Sequence, residues 1–394
     1  MDTFIARQPI FDENKQIYGY ELSFKDGHHL ELPDLDVSDP GLDPAGVLND
    51  KPVLINFTNE MIMRRLPQRF PKDRIIIGTG ETLQPGEDTL SILSLLRDEG
   101  YTIALDHSES DTLPLVLKTK GNIIRFDLRS FSINFLLEAI AVVKSESDIQ
   151  LMAENVEIYD DFRIAKSLGF TLFRGFFFST PETLFSQGVA PNKLSTLQLI
   201  GEMEKEALDF DRIETYIKSD APLSFKLLRY INSVYFKRLV TINTIKDAIA
   251  YLGEDELRRF IHVIAVSNIG EGKPDELVRM SITRAGMCER CAAVFKFGFS
   301  RDELFMLGLF SLMDALMDCR MRDILSHLNF SDKMKHALLG KDRAFNMLLD
   351  IIVGFERGQR NHAILEKIGD PAVEAKLRKF YLASLKSATA FYGN

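Results

Sequence analysis

The first half of the chain alternates short apolar runs with amphipathic helical patterns, and this alternation limits the fold more than any other feature. The runs with the length and composition of buried strands are residues 53–57, 74–77, 102–106, 122–127 and 150–154. Helical periodicity marks residues 89–99, 130–144 and 160–168. Strands joined by crossover helices pair in parallel, so we expect an α/β domain built on a parallel sheet.

Polar side chains lie at the C-terminal ends of four of these runs. The residues concerned are Asn56, Asp106, Asp127 and Glu154. In a β/α barrel the carboxyl ends of all strands meet at one face, where ligand chemistry is assembled. Each of these residues alone could cap the helix that follows it, whereas four in the same position indicate a shared site. The sequence therefore predicts a ligand site at the carboxyl end of a barrel.

The second half of the chain carries helical patterns only. A turn-rich segment without periodicity separates it from the first half. Ser300 and Glu303 have the spacing of a capping box, and Gly253 lies where a helix is expected to end. The expected organisation is a barrel domain over residues 1–182, a linker over 183–193 and an all-helical domain over 194–394.

The charge and the cysteine content exclude several classes of protein. A net charge of −9 and a pI near 5.4 argue against a dedicated nucleic-acid-binding protein, which needs clustered Lys and Arg to neutralise phosphates. Three cysteines are too few for a disulfide framework, and the N-terminus lacks the pattern of a secretory signal. No apolar run in the sequence has the length of a membrane span. We therefore expect a soluble cytoplasmic protein.

Seven short motifs follow one another through the first half: Gln8-Pro9-Ile10, Tyr20-Glu21-Leu22, Ile55-Asn56-Phe57-Thr58, Ala104-Leu105-Asp106, Phe126-Asp127, Ala153-Glu154-Asn155-Val156-Glu157 and Arg174-Gly175-Phe176-Phe177-Phe178. In this order and approximate spacing, residues 3–182 resemble EAL domains, which are modified β/α barrels that hydrolyse cyclic di-GMP with divalent metal ions. The resemblance implies a modified (β/α) TIM-like barrel. The acidic, Pro-rich stretch between Glu21 and Asn56 lacks a helical pattern, so we expect a barrel truncated after its first strand.

The resemblance assigns roles to individual positions of the predicted site. The positions that match metal ligands of the family are Glu21, Asn56, Asp106 and Glu154. The further matched positions are Gln8, Glu81, Asp127 and Glu157. Together these residues form what the resemblance identifies as the remnant of an EAL site.

Four positions depart from the family pattern. Gly78 stands where a metal-binding glutamate is expected, and His107 replaces the second of two paired aspartates. Arg125 occupies the position of a lysine thought to assist catalysis, and Arg174 replaces a glutamine near the nucleophilic water. Glycine offers no side-chain ligand, and arginine is effectively never deprotonated in proteins. We therefore expect no catalytic residues, no metal or other cofactor, and no enzymatic activity.

Two alternatives keep cyclic di-GMP as the ligand of the barrel. In the first, a residual phosphodiesterase uses Mg²⁺ or Mn²⁺ held by the four matched ligands, with His107 as an unusual additional ligand. In the second, the barrel binds the dinucleotide without hydrolysis, and Arg125 and Arg174 contact its phosphates. The same arginines could instead pair with Asp106 and Glu154 and close the vacated metal site.

The motifs of the second half are residues 217–233, residues 245–253 and Gly308-Leu309-Phe310. They resemble the HDOD module, a helical relative of the HD-type metal phosphohydrolases. Those hydrolases bind metal through a consecutive His-Asp pair, and no such dipeptide occurs in the chain. The leading hypothesis is an inactive EAL–HDOD signalling regulator. It would act through protein partners or self-association in cyclic di-GMP-related pathways such as motility, surface attachment and biofilm control.

Overall fold

The computed structural model describes the greater part of the chain. The described residues are 5–24, 51–79, 87–106, 122–144, 149–182, 189, 191–203, 210–219, 221–231, 242–296, 298–358 and 370–392. The chain divides into two compact units. The first comprises Met1–Phe178 with Phe355–Arg360, and the second comprises Ser179–Gly354 with Asn361–Asn394.

The first unit is a closed barrel of eight strands. The strands are β1 (Ile5–Asp12), β2 (Ile17–Phe24), β3 (Val53–Phe57), β4 (Ile75–Thr79), β5 (Thr102–Asp106), β6 (Ile123–Asp127), β7 (Gln150–Glu154) and β8 (Leu172–Arg174). β1 and β2 form an antiparallel hairpin, and β1 also pairs antiparallel with β8. The pairs from β2 to β8 are parallel. The expected TIM-like α/β barrel is confirmed.

Three strands of the barrel were not predicted from the sequence. Polar residues such as Arg7 and Glu21 interrupt the apolar residues of β1 and β2, and β8 has only 3 residues. None of the three is therefore a continuous apolar run. The five predicted strands are present, with β4 displaced toward its C-terminal end. The truncation expected after the first strand falls on residues 25–50, which lie outside the described residues.

Helices follow several of the strands, as the sequence patterns predict. They are α1 (Asn59–Met63), α2 (Glu87–Asp98), α3 (Ile133–Lys144) and α4 (Tyr159–Leu168). α4 ends at Gly169, whose φ of 99° lies in the left-handed region that favours glycine. Short 3₁₀ helices lie at Leu66–Arg69 and Phe177–Ser179.

An apolar layer fills the barrel interior and forms the floor of its carboxyl end. Seven strands each contribute one buried residue to it: Ile10, Leu54, Ile76, Ala104, Ile123, Met152 and Leu172. Side chains alternate between the two faces of a strand, so a residue two positions further along also faces the interior. This apolar layer is the floor of the barrel. It therefore fixes which residues face inward at the carboxyl end of the barrel.

The second unit is all helical over its described residues, as predicted. Its helices are α5 (Pro191–Met203), α6 (Phe210–Ser219), α7 (Ala221–Ile231), α8 (Ile245–Ile269), α9 (Asp275–Cys291), α10 (Arg301–Phe310), α11 (Met313–Met317), α12 (Met321–Leu325), α13 (Asp332–Leu338), α14 (Arg343–Glu356) and α15 (Pro371–Tyr392). α5 begins inside the segment predicted to be a linker. The domain limits drawn from the sequence stay a prediction.

Two local signals read from the sequence of the second unit are confirmed. Gly253 interrupts α8 with a φ of 71°, which is left-handed backbone that favours glycine. Ser300 caps α10: its hydroxyl accepts from the backbone of Glu303 at 3.1 Å, and its own N–H donates to the Glu303 carboxylate at 2.7 Å. Residues 301–317 form two consecutive helices, α10 and α11.

The cysteines and the apolar helices were both compared with what the sequence predicts. Cys288, Cys291 and Cys319 are buried, and burial raises the pKa of the Cys291 thiol to about 12. That thiol therefore stays protonated and packs in the core. Among the described helices, none combines the length and the apolar composition needed to cross a bilayer.

Candidate ligand site at the carboxyl end of the barrel

A polar layer lies directly above the floor of the barrel. On the parallel strands its members come two residues after the floor residues: Asn56, Gly78, Asp106, Arg125, Glu154 and Arg174. β1 runs the opposite way and contributes Gln8, two residues before Ile10, and Glu21 is paired with Gln8 across the hairpin. Strand register alone therefore brings together residues that are far apart in sequence.

The guanidinium of Arg125 lies at the centre of the polar layer. Its side chain is 2% exposed. Its terminal nitrogens approach five oxygen atoms: Asp106 Oδ1 at 2.6 Å, Thr79 O at 2.7 Å, Asn56 Oδ1 at 3.0 Å, Glu154 Oε1 at 3.3 Å and Glu21 Oε1 at 3.6 Å. Three of these oxygens belong to carboxylates, so the buried positive charge is compensated on several sides.

Arg174 forms a second positive centre nearer to the solvent. Its Nη1 lies 2.7 Å from Glu21 Oε2 and donates to Gln8 Oε1 at 2.8 Å, and its Nε lies 3.1 Å from Glu154 Oε1. The Arg174 side chain is 17% exposed. Asn56 Nδ2 donates to Glu21 Oε1 at 2.8 Å, so both oxygens of the Glu21 carboxylate have partners. Both arginines thus pair with carboxylates, the arrangement that the sequence analysis weighed against a direct phosphate contact.

The carboxyl group of Asp106 is set apart by its pKa. Burial raises that pKa to about 8, and the negative charges of Glu154 and Glu21 add to the effect, although Arg125 opposes it. Burial is the largest cause, and the two nearby carboxylates offset part of the opposing effect of Arg125 and Arg174. Asp106 is also the most exposed of the three carboxyl groups, with 14% of its side chain accessible. The Asp106 carboxyl group therefore keeps its proton to a higher pH than an ordinary aspartate does.

The pKa values of Glu154 and Arg125 are shifted in favour of their charged forms. Burial alone would raise the pKa of Glu154, but Arg174 and Arg125 together hold it below its ordinary value. Burial alone would lower the pKa of Arg125, but the carboxylates of Glu154, Asp106 and Glu21 raise it. The pKa values of Glu154 and Asp106 are therefore shifted in opposite directions. Two carboxyl groups of one site with pKa values pushed apart are typical of an acid–base pair.

A segment far along the chain contacts the rim of this site. Residues Phe355–Arg360 belong to the first unit, and Arg357 Nη2 lies 2.8 Å from Glu157 Oε2. The Arg357 guanidinium also stacks 4.7 Å from the Phe176 ring centroid, and its carbonyl accepts from Gln8 Nε2 at 2.7 Å. Gln8 in turn accepts from Arg174. This contact could not be predicted from the sequence, because 200 residues separate Arg357 from Glu157.

The structure places the sequence-predicted residues in three groups. Those gathered in the polar layer are Gln8, Glu21, Asn56, Asp106 and Glu154, with Gly78, Arg125 and Arg174. Asp127 and Glu157 lie at the rim, where Asp127 accepts from Arg129 N at 2.9 Å and from Ser130 Oγ at 3.1 Å. Asp127 therefore holds the turn that follows β6. Glu81 and His107 lie outside the described residues.

The polar layer does not fit the divalent cation that the family resemblance implies. The oxygens of Glu21, Asn56, Asp106 and Glu154 that would hold it already surround the Arg125 guanidinium. A cation cannot lie among them unless that guanidinium leaves. Among the described residues, no group of three or more His, Cys, Asp or Glu side chains is arranged to hold a metal ion.

Comparison with known proteins identifies relatives of both halves. The HDOD domain family matches residues 192–335. The cyclic di-GMP phosphodiesterase CdgJ of Vibrio cholerae is 31% identical over 402 residues, covering 95% of this chain and 91% of the relative. The uncharacterized protein YuxH of Bacillus subtilis is 26% identical and covers 98% of both chains. The likeness to these two relatives thus extends over nearly the whole chain.

Solved structures of EAL proteins resemble part of the chain. An EAL-domain protein of Listeria monocytogenes has a TM-score of 0.36 at 15% identity, covering 45% of this chain and 87% of its own. A Bacillus subtilis protein with an EAL domain, in complex with cyclic di-GMP and calcium, has a TM-score of 0.34 at 20% identity. It covers 66% of this chain and 74% of its own.

One expectation from the sequence is wrong. The chain was expected not to be an enzyme, whereas a relative that matches it along almost its whole length is named a phosphodiesterase. The expectation rested on the loss of ligands at Gly78 and His107 and on the arginines at positions 125 and 174. In the structure both guanidiniums lie among the carboxylates of the polar layer.

Proposed function

Because this chain belongs to the EAL–HDOD family of bacterial signalling proteins, we propose that its barrel hydrolyses cyclic di-GMP. The observation that carries the proposal is the polar layer itself. It combines two guanidiniums with a protonated carboxyl group beside the barrel opening. The relationship to a named cyclic di-GMP phosphodiesterase supports the choice of substrate.

The charges of the polar layer suit a phosphodiester. Each phosphodiester of the dinucleotide carries one negative charge, and a guanidinium binds phosphate oxygens in a planar fork. Arg174 is the more exposed of the two arginines, so it is the one that can contact the substrate. Arg125 lies beneath as a fixed positive charge. A preorganised positive charge of this kind stabilises negative charge that develops in the transition state.

Asp106 supplies the proton that the reaction needs. Water attacks phosphorus, the ester bond to the leaving oxygen breaks, and the Asp106 carboxyl protonates that oxygen. The attacking water then releases a proton, which restores the protonated carboxyl group. A general acid works best when its pKa is close to the operating pH, and the pKa of Asp106 is raised to about 8. The product is the linear dinucleotide.

The test is incubation of the full chain with cyclic di-GMP, with and without added Mn²⁺, and chromatographic measurement of linear product. Wild-type protein is expected to form product in at least one condition. Asp106→Asn is expected to lower the rate about 100-fold to 10,000-fold, because general acid catalysis contributes that much. Asp160→Asn is the control, since Asp160 is an exposed helix residue paired with Arg163. Binding without product in both conditions would contradict hydrolysis.

The remaining predictions concern partners and location. We propose that the helical unit contacts protein partners or a second copy of the chain, in pathways that respond to cyclic di-GMP. We also propose a cytoplasmic location, with which the buried cysteines agree. Co-purification of the full chain with and without the dinucleotide tests the first point. A partner set that does not change with the dinucleotide would contradict it.

A further inference from the structure

The oxygen atoms around Arg125 are those that a hard divalent cation prefers. They are carboxylate, amide and backbone carbonyl oxygens, and five of them lie between 2.6 and 3.6 Å from its terminal nitrogens. Four come from side chains of strand residues and one from the backbone of Thr79. The guanidinium thus occupies the place where a cation would bind.

Burial makes this guanidinium a permanent part of the layer. The Arg125 side chain is 2% exposed, and its pKa is raised by the carboxylates of Glu154, Asp106 and Glu21. An arginine in these surroundings does not lose its proton. To leave, it would have to break contacts with three carboxylates together. A dissolved cation therefore competes with a charge that is covalently attached to the chain.

Gly78 keeps space open for the same arrangement. A Cβ atom on residue 78 would lie 2.3 Å from Asn56 Oδ1 and 3.1 Å from Leu54 Cδ2. Asn56 fills the volume that a side chain at position 78 would need, and its Oδ1 accepts from Arg125 at 3.0 Å. The absence of a side chain at Gly78 and the presence of Arg125 are thus parts of one packing arrangement.

We propose that Arg125 is a resident cation that takes the place of a divalent metal ion. Wild-type protein accordingly takes up no divalent cation in the polar layer. Removal of the guanidinium turns the same oxygens into a divalent-cation site formed by Glu21, Asn56, Asp106 and Glu154. This inference concerns metal binding and stands whether or not the barrel hydrolyses cyclic di-GMP.

The experiment titrates the full chain with Mn²⁺ and measures bound metal by calorimetry and by the electron paramagnetic resonance signal of free Mn²⁺. The proteins are wild type, Arg125→Gln, Arg125→Ala and the exposed control Arg163→Gln. Wild type and the control are expected to show no Mn²⁺ binding that depends on Asp106, so Asp106→Asn should leave their titrations unchanged. Each Arg125 variant is expected to bind one Mn²⁺ per chain, with at least 10-fold weaker binding when Asp106→Asn is added.

Folding of the variants is monitored in the same samples. Arg125→Gln keeps most of the volume of the side chain, so we expect it to fold better than Arg125→Ala. Each Arg125 variant should melt at a higher temperature in Mn²⁺ than in chelator, whereas wild type should not. A folded Arg125 variant that binds no Mn²⁺ would overturn the proposal. If neither variant folds, wild type decides: Mn²⁺ uptake that depends on Asp106 overturns it, and none supports it.

Discussion

Two arginines in the two units each face several carboxylates, but they differ in burial. Arg125 of the barrel is 2% exposed, and its carboxylate partners are 14% exposed or less. Arg259 of the helical unit is 18% exposed; its Nη1 lies 3.0 Å from Glu289 and 3.4 Å from Glu256, and it also pairs with Asp302, which is 65% exposed. Arg259 lines an open cleft of about 270 Å³.

The comparison shows how burial changes the use of one residue type. Water and counter-ions screen the pairs of Arg259 with Glu256 and Asp302, so each of these two adds little to stability. The pairs of Arg125 lie in a medium of low dielectric, where an unpaired charge is strongly unfavourable. The same chemical group is therefore a partly solvated contact in one unit and a fixed charge in the other.

The largest expected effect comes from removing each arginine in turn. Arg125→Gln should lower the free energy of unfolding by about 3–5 kcal/mol in chelator, because it leaves buried carboxylates uncompensated. Arg259→Gln should lower it by about 1–2 kcal/mol, since two of its three partners, Glu256 and Asp302, stay in contact with solvent. Chemical denaturation followed by circular dichroism measures both. Equal losses of unfolding free energy would contradict the claim that burial makes Arg125 the more important of the two arginines.

The pH dependence of stability isolates one carboxyl group of the buried cluster. The pKa of Asp106 is about 8 in the folded protein against an ordinary value of 3.8, so the folded state holds one more proton in between. Stability should therefore fall as the pH rises from about 5 to 8, by about 2–4 kcal/mol. Asp106→Asn should remove that part of the slope in urea titrations. Identical slopes in both proteins would contradict the raised pKa.

Two glycine substitutions compare packing in the two units. Gly78→Ala places a Cβ 2.3 Å from Asn56 Oδ1 and should destabilise the barrel by about 1–3 kcal/mol. Gly201→Ala, in α5 of the helical unit, meets only Asn329 Nδ2 at 3.8 Å and should stabilise by up to about 1 kcal/mol. Melting temperatures measure both changes. Tolerance of alanine at position 78 would show that the polar layer can repack.

The smallest effect tests whether a local change in the helical unit stays local. Ser300→Ala removes the hydroxyl that caps α10 and should lower the free energy of unfolding by about 1 kcal/mol. The product-formation assay should give an unchanged rate for this variant, because Ser300 contacts no residue of the polar layer. A large loss of rate would reveal coupling that the cap itself does not explain.

Much of the barrel could be predicted because its central strands are continuous apolar runs. The polar ends at Asn56, Asp106 and Glu154 also identified the site, since strand ends converge on one face of a barrel. β1, β2 and β8 were not predicted. Polar residues interrupt the apolar pattern of β1 and β2, and β8 is too short to show one. The rim contact of Arg357 could not be predicted, because tertiary contacts between distant segments leave no periodic signal.

The arginines show the limit of comparing positions one at a time. The sequence identified Arg125 and Arg174 as substitutions and offered two roles for them, phosphate contact or pairing with carboxylates. Only the distances decide which groups they touch, because either role is compatible with the same strand positions. The pKa of Asp106 likewise depends on burial and on the full set of neighbouring charges, neither of which a motif records.

The most direct test of the account is the rate at which wild-type protein opens cyclic di-GMP in a metal chelator, compared with the rate in Mn²⁺. The account predicts linear product at similar rates in both, because Arg125 supplies the positive charge that a metal would otherwise provide. Product that forms in Mn²⁺ and disappears in chelator would contradict the resident-cation proposal. The absence of product in both would contradict the proposed hydrolysis.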